Sequence, residues 1–336
     1  MTEPTLHYVP CPDASGGHRM AYWQWGDPAN PRVVMCVHGL SRQGRDFDVL
    51  ARYLCDRVRV VCPDVVGRGK SDWLKNPMDY QIPFYAADML VLLDWLHQQS
   101  SITTLDWVGT SMGGLIGMVI AGQPGLGAAS AAASAEAEHF FDGPPPGNEP
   151  HPLAKGGSAV REATSVGAIR KLVLNDVGPA IERQAIERIG AHLGKAGYFS
   201  SLQQAADAMW AVSTSFGPHS PEQWLALSRH MVKPASDGSA GSLMLHYDPA
   251  IAVPVRAATE ESTRQGEAML WQLYDNIRAS TLILRGAQSD LLSRATALAM
   301  TQRGPKARLV EFEGVGHVPT LVALDQVSTV GDFLLV

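Results

Sequence analysis

The sequence predicts an α/β fold: a mostly parallel sheet with helices on both faces, interrupted by a block of helices. Three observations carry this reading. Short β-branched apolar runs alternate with longer amphipathic stretches through most of the chain. Residues 179–277 hold helical patterns without clear strands. A Gly-x-Ser-x-Gly pentad sits where a strand pattern gives way to a helical one.

The elements follow in order. Arg19–Trp25 alternates and reads as an antiparallel edge strand. Arg32–Val37, Val58–Cys62, Leu105–Val108, Lys171–Leu174, Thr281–Leu284 and Ala307–Phe312 are brief, apolar and bounded by turn residues, so they read as buried strands. Phe47–Cys55 and Phe84–Gln98 are amphipathic; in the second, Ala87, Leu90, Val91, Asp94 and Trp95 recur at helical spacing.

The rhythm breaks twice. Between Gly125 and Ser165, 25 of 41 residues are Gly, Ala, Ser or Pro, which predicts a surface insertion, with a lid as the alternative. The second break is the helical block, with patterns at Ile181–Leu193, Leu202–Ser213, Glu222–Met231 and Gly266–Asn276. It reads as a cap set into the core. Its aromatics, Trp210, Phe216, Trp224, Tyr247, Trp271 and Tyr274, divide between cap core and pocket lining.

Composition narrows the function classes. The chain has 336 residues, 46% hydrophobic and 18% charged, enough for a large core without staples. Its 27 Lys and Arg against 33 Asp and Glu give a net charge of −6, which argues against a nucleic-acid partner. Cys11, Cys36, Cys55 and Cys62 have no zinc-ligand spacing, so no metal is expected. The first residues carry no secretory pattern, and the Leu115–Ala121 run is too short to span a bilayer; a cytoplasmic protein without a membrane partner is expected. The oligomeric state is left open.

The chemistry gathers at predicted strand ends, the edge where open parallel sheets bind ligands. Gly109-Thr110-Ser111-Met112-Gly113 follows the strand LDWV and opens the helical run LIGMVIA. Small residues two before and two after let the backbone bend sharply and present the Ser111 hydroxyl. A serine needs a base. His317, in a glycine-flanked loop after the last strand, is the candidate. An imidazole needs an acid to orient it. Asp290, after the strand TLIL and 27 residues before His317, is preferred; Asp176, after KLVL, is its rival, with a cap or turn role as the alternative. His38-Gly39-Leu40 closes the strand RVVMCV, and the amides of Leu40 and Met112 would form an oxyanion hole. His38 reads as a structural histidine of that loop rather than a second base. Gly69-Lys70-Ser71 is no phosphate loop, because Asp64 stands where the first glycine of that motif belongs. His38, Gly39, Trp73, Trp210 and Trp271 are the candidate substrate contacts. Arg42 and Arg45 would meet a substrate carboxylate or are ordinary surface charge.

Taken together, HGL at 38–40, DVVGRGKSD at 64–72, GTSMGG at 109–114, GAQSDLL at 286–292 and GVGH at 314–317 resemble the α/β-hydrolase superfamily, in its expected order. The resemblance spans most of the core. It implies an eight-stranded, mostly parallel sheet, a core of residues 1–178 and 278–336, and a helical cap at 179–277. The enlarged 125–165 connection departs from the compact family pattern. The resemblance also implies Ser111 as nucleophile, His317 as base, Asp290 as acid, an acyl-enzyme and no cofactor. The implied reaction is hydrolysis of a carboxylic ester with a mostly apolar acyl group or a hydroxyacid, and LVLNDVGP is similar to bacterial hydrolases of hydroxyacid oligomers. Lactones, thioesters, C–C hydrolysis of a vinylogous diketone and perhydrolysis use the same groups, and a ligand-binding receptor on the same fold is the non-enzymatic alternative.

Overall fold

The computed structural model describes residues 3–123, 168–195, 197–235 and 242–336. The predicted insertion at 125–165 lies outside them.

An eight-stranded sheet forms the centre, built from β1 (Thr5–Cys11), β2 (His18–Trp25), β3 (Arg32–Val37), β4 (Arg59–Asp64), β5 (Thr104–Thr110), β6 (Ile169–Asn175), β10 (Ser280–Gly286) and β11 (Arg308–Phe312). The spatial order is β1-β2-β4-β3-β5-β6-β10-β11. Only β2 runs against the others. The expected edge strand is therefore antiparallel but internal. Thr5–Cys11 covers it from outside, pairing Thr5 with Gln24 through Cys11 with His18.

Both faces of the sheet are buried. Along β3, Val33, Met35 and Val37 point to one face, and Val34 and Cys36 to the other. The first face is covered by α2 (Ile82–Gln99), α3 (Met112–Gly122), α8 (Glu260–Asn276) and α9 (Arg294–Gln302). The second is covered by α1 (Asp48–Leu54) and α10 (Leu324–Leu335) through Leu50, Leu54, Val327, Val330 and Leu334. This layering explains the continuous apolar runs of the central strands. The α8 helix closes the predicted cap segment in sequence but packs along α3. The two approach so closely that a Cβ on Gly122 would fall on the Leu273 backbone.

The cap proper holds α4 (Arg183–His192), α5 (Leu202–Trp210), α6 (Pro221–Arg229) and α7 (Ala252–Ala257). It also contains an antiparallel three-stranded sheet in the order β7-β9-β8 that the helical reading missed: β7 (Tyr198–Phe199), β8 (Val232–Pro234) and β9 (Leu243–Leu245). Strands of two or three residues are too short for an alternating pattern. Ala205, Ala206, Met209, Trp224, Leu227 and Met231 form a separate small core there. A capping box between Ser220 and Gln223, with Pro221 in the first turn, starts α6. Among the described residues no helix is long and apolar enough to cross a membrane.

Candidate active site

Ser111 occupies the single residue between β5 and α3, with φ 50° and ψ −114°. Such a backbone is costly for a non-glycine residue and persists only where the surroundings fix it. They do so at both ends. The Ser111 N–H donates to the Asn175 carbonyl at 2.9 Å, and its own carbonyl accepts from Gly114 at 2.8 Å. The flanking glycines are dictated by contact: a Cβ on Gly109 would strike the Gly113 carbonyl, and one on Gly113 would strike Val37.

His317 follows β11 and is almost buried. Its Nδ1 lies 2.8 Å from Oδ2 of Asp176. Asp176 comes directly after β6 at φ 54° and is fully buried. Its carboxylate also accepts from the Gly286 N–H at 2.9 Å and the Ser289 hydroxyl at 2.6 Å. Hydrogen bonds from two neutral donors and an imidazole make burial of that carboxylate tolerable.

The preferred acid of the sequence reading does not reach His317. Asp290 is half-exposed and forms a bidentate pair with Arg188 of α4, at 2.7 and 2.9 Å. The loop carrying it does reach the site, but through Ser289. The residue that meets His317 is the rival, Asp176.

His38 is buried and held on both sides. Its Nδ1 lies 2.7 Å from the Gly39 carbonyl, and its Nε2 accepts from the Val65 N–H at 2.9 Å. Burial pulls its pKa down to about 3, so the ring is neutral and ties the loop after β3 to the loop after β4. Gly39 sits close to Ser111: a Cβ placed on it would lie 3.7 Å from that of Ser111. Neither the Leu40 nor the Met112 amide is spent on a turn or loop hydrogen bond among the described residues. The buried Arg68 braces both residues, donating to the Leu40 carbonyl at 2.8 Å and lying 3.7 Å from Sδ of Met112. No local pattern marks Arg68, which stands in the glycine turn after β4. The turn itself folds around Asp64, which accepts from the Gly44 and Lys70 N–H groups at 2.7 and 2.8 Å. Burial raises its carboxyl to about 6.

Ser111 and His317 line one cavity of about 370 Å³ between sheet edge and cap. His38, Gly39 and Leu40 share it, with Phe199, Met209, Phe216, Leu245 and Tyr247 supplying apolar wall. Three expected contacts do not line it. Trp73 is exposed and carries Lys233 over its ring. Trp210 packs edge-on against Trp224, inside the cap core. Trp271, on α8, lies between Tyr274 and Arg303. Of the two arginines flagged for a carboxylate, Arg42 lines the cavity but is held by Asp46. Arg45 pairs with Asp48 and stacks on Trp23.

The cap also touches the His317 loop directly. The Ser215 carbonyl accepts from the Gly316 N–H at 2.6 Å, and its hydroxyl donates to the His317 carbonyl at 2.8 Å. His219 Nε2 meets the Thr320 hydroxyl at 2.7 Å. No local pattern marks Ser215; the contact spans 102 residues.

Known proteins resemble this chain along its length. A family model described as the alpha/beta hydrolase fold matches residues 32–139. A 3-hydroxybutyrate-oligomer hydrolase of Cupriavidus necator is 42% identical over 330 residues, covering 98% of this chain and 97% of that protein. Among solved structures, an alpha/beta hydrolase of Novosphingobium aromaticivorans superposes with TM-score 0.74 at 30% identity, over 100% of this chain and 99% of that one. An E-2-(acetamidomethylene)succinate hydrolase shares the fold, with TM-score 0.69 at 17% identity over 99% and 100% of the two chains.

Proposed function

We propose that this chain, which belongs to the α/β-hydrolase family and is an ester-cleaving hydrolase, acts on short oligoesters of a hydroxyacid such as 3-hydroxybutyrate, with Ser111 as nucleophile, His317 as base and Asp176 as the acid that orients it. The observation that carries the site assignment is the buried Asp176–His317 hydrogen bond at the wall of the cavity that Ser111 also lines. The substrate class rests on the likeness, over nearly the whole chain, to a hydrolase named for such oligomers. A cavity of this size with a largely apolar wall suits a short oligomer.

The chemistry runs in two halves. Ser111 Oγ attacks the ester carbonyl carbon while His317 Nε2 takes its proton. Asp176 accepts from Nδ1–H, which keeps Nε2 free as a base and stabilises the imidazolium that forms. The carbonyl oxygen becomes an oxyanion held by the Leu40 and Met112 amides. The carbon–oxygen bond to the leaving alcohol breaks, and His317 returns its proton to that oxygen. Water then attacks the acyl-enzyme with His317 again as base, releasing the acid and restoring the Ser111 hydroxyl.

The test is release of 3-hydroxybutyrate from its linear dimer, followed by chromatography, with Ser111→Ala beside the wild type. Turnover is expected to fall on the order of 10⁴-fold or more in the variant with its fold intact. Equal turnover by the two proteins would overturn the nucleophile assignment. Cleavage of simple nitrophenyl esters but not the dimer would overturn the substrate class alone.

A further inference from the structure

Besides the Arg42–Asp46 pair, closed at 2.6 and 2.8 Å, two cationic side chains, Arg188 and Lys195, line the cavity. Arg188 and His192 lie four residues apart on one face of α4, Lys195 follows in the turn after it, and all three line the cavity. Asp290 holds Nε and Nη2 of Arg188 from outside the cavity, and Nη1 has no partner among the described residues. Neither His192 nor Lys195 has an ion-pair partner among them. A neutral ester in a largely apolar cavity has no use for Arg188 and Lys195. A carboxylate does, and a bidentate-held guanidinium is a preorganised receiver for one.

We propose that α4 and the turn after it form a carboxylate subsite in which Arg188, with His192 and Lys195, receives the free acid end of the oligoester. Asp290 is the positioning residue that holds Arg188 for this purpose. The inference rests on the oligoester reading above and adds a direction to it. The hydroxyacid unit that carries the free carboxylate is the leaving group, so its alkoxide takes the proton from His317 and the remainder of the chain stays on Ser111 as the acyl group.

The test compares two probes, the linear 3-hydroxybutyrate dimer as free acid and as its methyl ester, scoring cleavage of the internal ester bond. Wild type is expected to favour the acid by about fivefold or more in kcat/KM, with the preference shrinking as salt is raised. In the double variant Arg188→Gln/Lys195→Gln the preference should collapse toward one. Asp290→Asn should lose part of it, through KM rather than kcat. If the double variant misfolds by circular dichroism, the exposed Lys195→Gln alone should still reduce the preference. Equal kcat/KM on both probes, or a preference that survives the substitutions, overturns the subsite. Calorimetry on the Ser111→Ala protein separates this from failure of the oligoester reading. Binding of the acid but not its methyl ester, with no wild-type cleavage of either, sinks the oligoester reading and upholds the subsite. Cleavage of both, with equal binding, sinks the subsite alone. Neither binding nor cleavage sinks both.

Discussion

Two aspartates follow neighbouring strands of the same sheet, and their fates are opposite. Asp176 directly follows β6, is fully buried, turns at φ 54° and gathers three donors, one of them His317. Asp290 comes four residues after Gly286, the last residue of β10; its side chain is 47% exposed and meets Arg188. Both stand in short loops after an apolar strand, so their sequence contexts are nearly equivalent. What separates them is where the backbone turns. A left-handed residue at the strand end sends its carboxylate under the neighbouring loop, whereas a residue further along the loop has already turned to the surface. Position relative to the strand end, not loop composition, decides which acid meets the histidine.

The largest effect expected from this contrast is on turnover. Asp176→Asn should lower kcat on a nitrophenyl ester on the order of 10³- to 10⁴-fold, because an amide can no longer favour the imidazolium or the working tautomer. Asp290→Asn should cost at most about threefold, a loss of the size that a half-exposed ion pair brings. Steady-state kinetics on the two variants decide the matter, and the reverse ranking would restore Asp290 as the acid.

The same rule explains what was legible in the sequence. The Ser111 turn was readable because its constraint is local: Gly109, Gly113 and the strand–helix junction lie within a few residues of it. The loop of His317 was readable from its flanking glycines and its place after the last strand. The carboxylate that meets His317 was not, because Asp176 reaches it across 141 residues and no local pattern encodes that contact. Ser215, which braces the His317 loop from the cap, was hidden for the same reason. The tryptophans failed differently. Trp210 and Trp271 were correctly seen as large apolar groups, but packing consumed them within the cap and beside α8. The cavity is instead lined by Phe199, Met209 and Leu245, residue types that advertise nothing. Burial of both faces made the parallel strands plain, whereas Thr5–Cys11, mostly exposed on its outer positions, gave no such run.

Burial and partner also separate two histidines, and this sharpens the comparison through pH. His38 is neutral in the fold, with a pKa near 3 against the ordinary 6.5. A depressed basic group contributes stability that is present above its unfolded pKa and is lost as pH falls, since the unfolded chain takes a proton that the fold refuses. Asp64, raised to about 6, works the other way and favours the fold as pH falls toward 4. The two offset each other in wild type, so the difference between proteins is the informative quantity. From pH 7 to 5, the stability advantage of wild type over His38→Gln should shrink by about 2 kcal/mol. Urea unfolding at the two pH values measures it. An advantage that stays constant would mean that His38 is not held neutral.

A smaller effect than that of Asp176→Asn isolates the loop that both aspartates share. The Ser289 hydroxyl donates to Oδ2 of Asp176, the same oxygen that faces His317, and accepts from the Leu291 and Leu292 N–H groups at 3.2 and 3.1 Å. Removing it leaves the buried carboxylate one donor short and frees two loop amides, while every group proposed for the chemistry stays in place. Ser289→Ala is therefore expected to reduce kcat by about tenfold, the scale of one hydrogen bond to a charged group. Because the lost donor favoured the ionised carboxylate, the acid limb of the pH–rate profile should also move to higher pH. Ser289→Thr keeps the hydroxyl and should recover most of both effects. A merely structural weakening of the loop would lower thermal stability and leave the limb where it was. If Ser289→Ala matched wild type in both rate and profile, the β10 loop would have no part in holding the acid, and Asp176 would rest on the Gly286 amide and His317 alone.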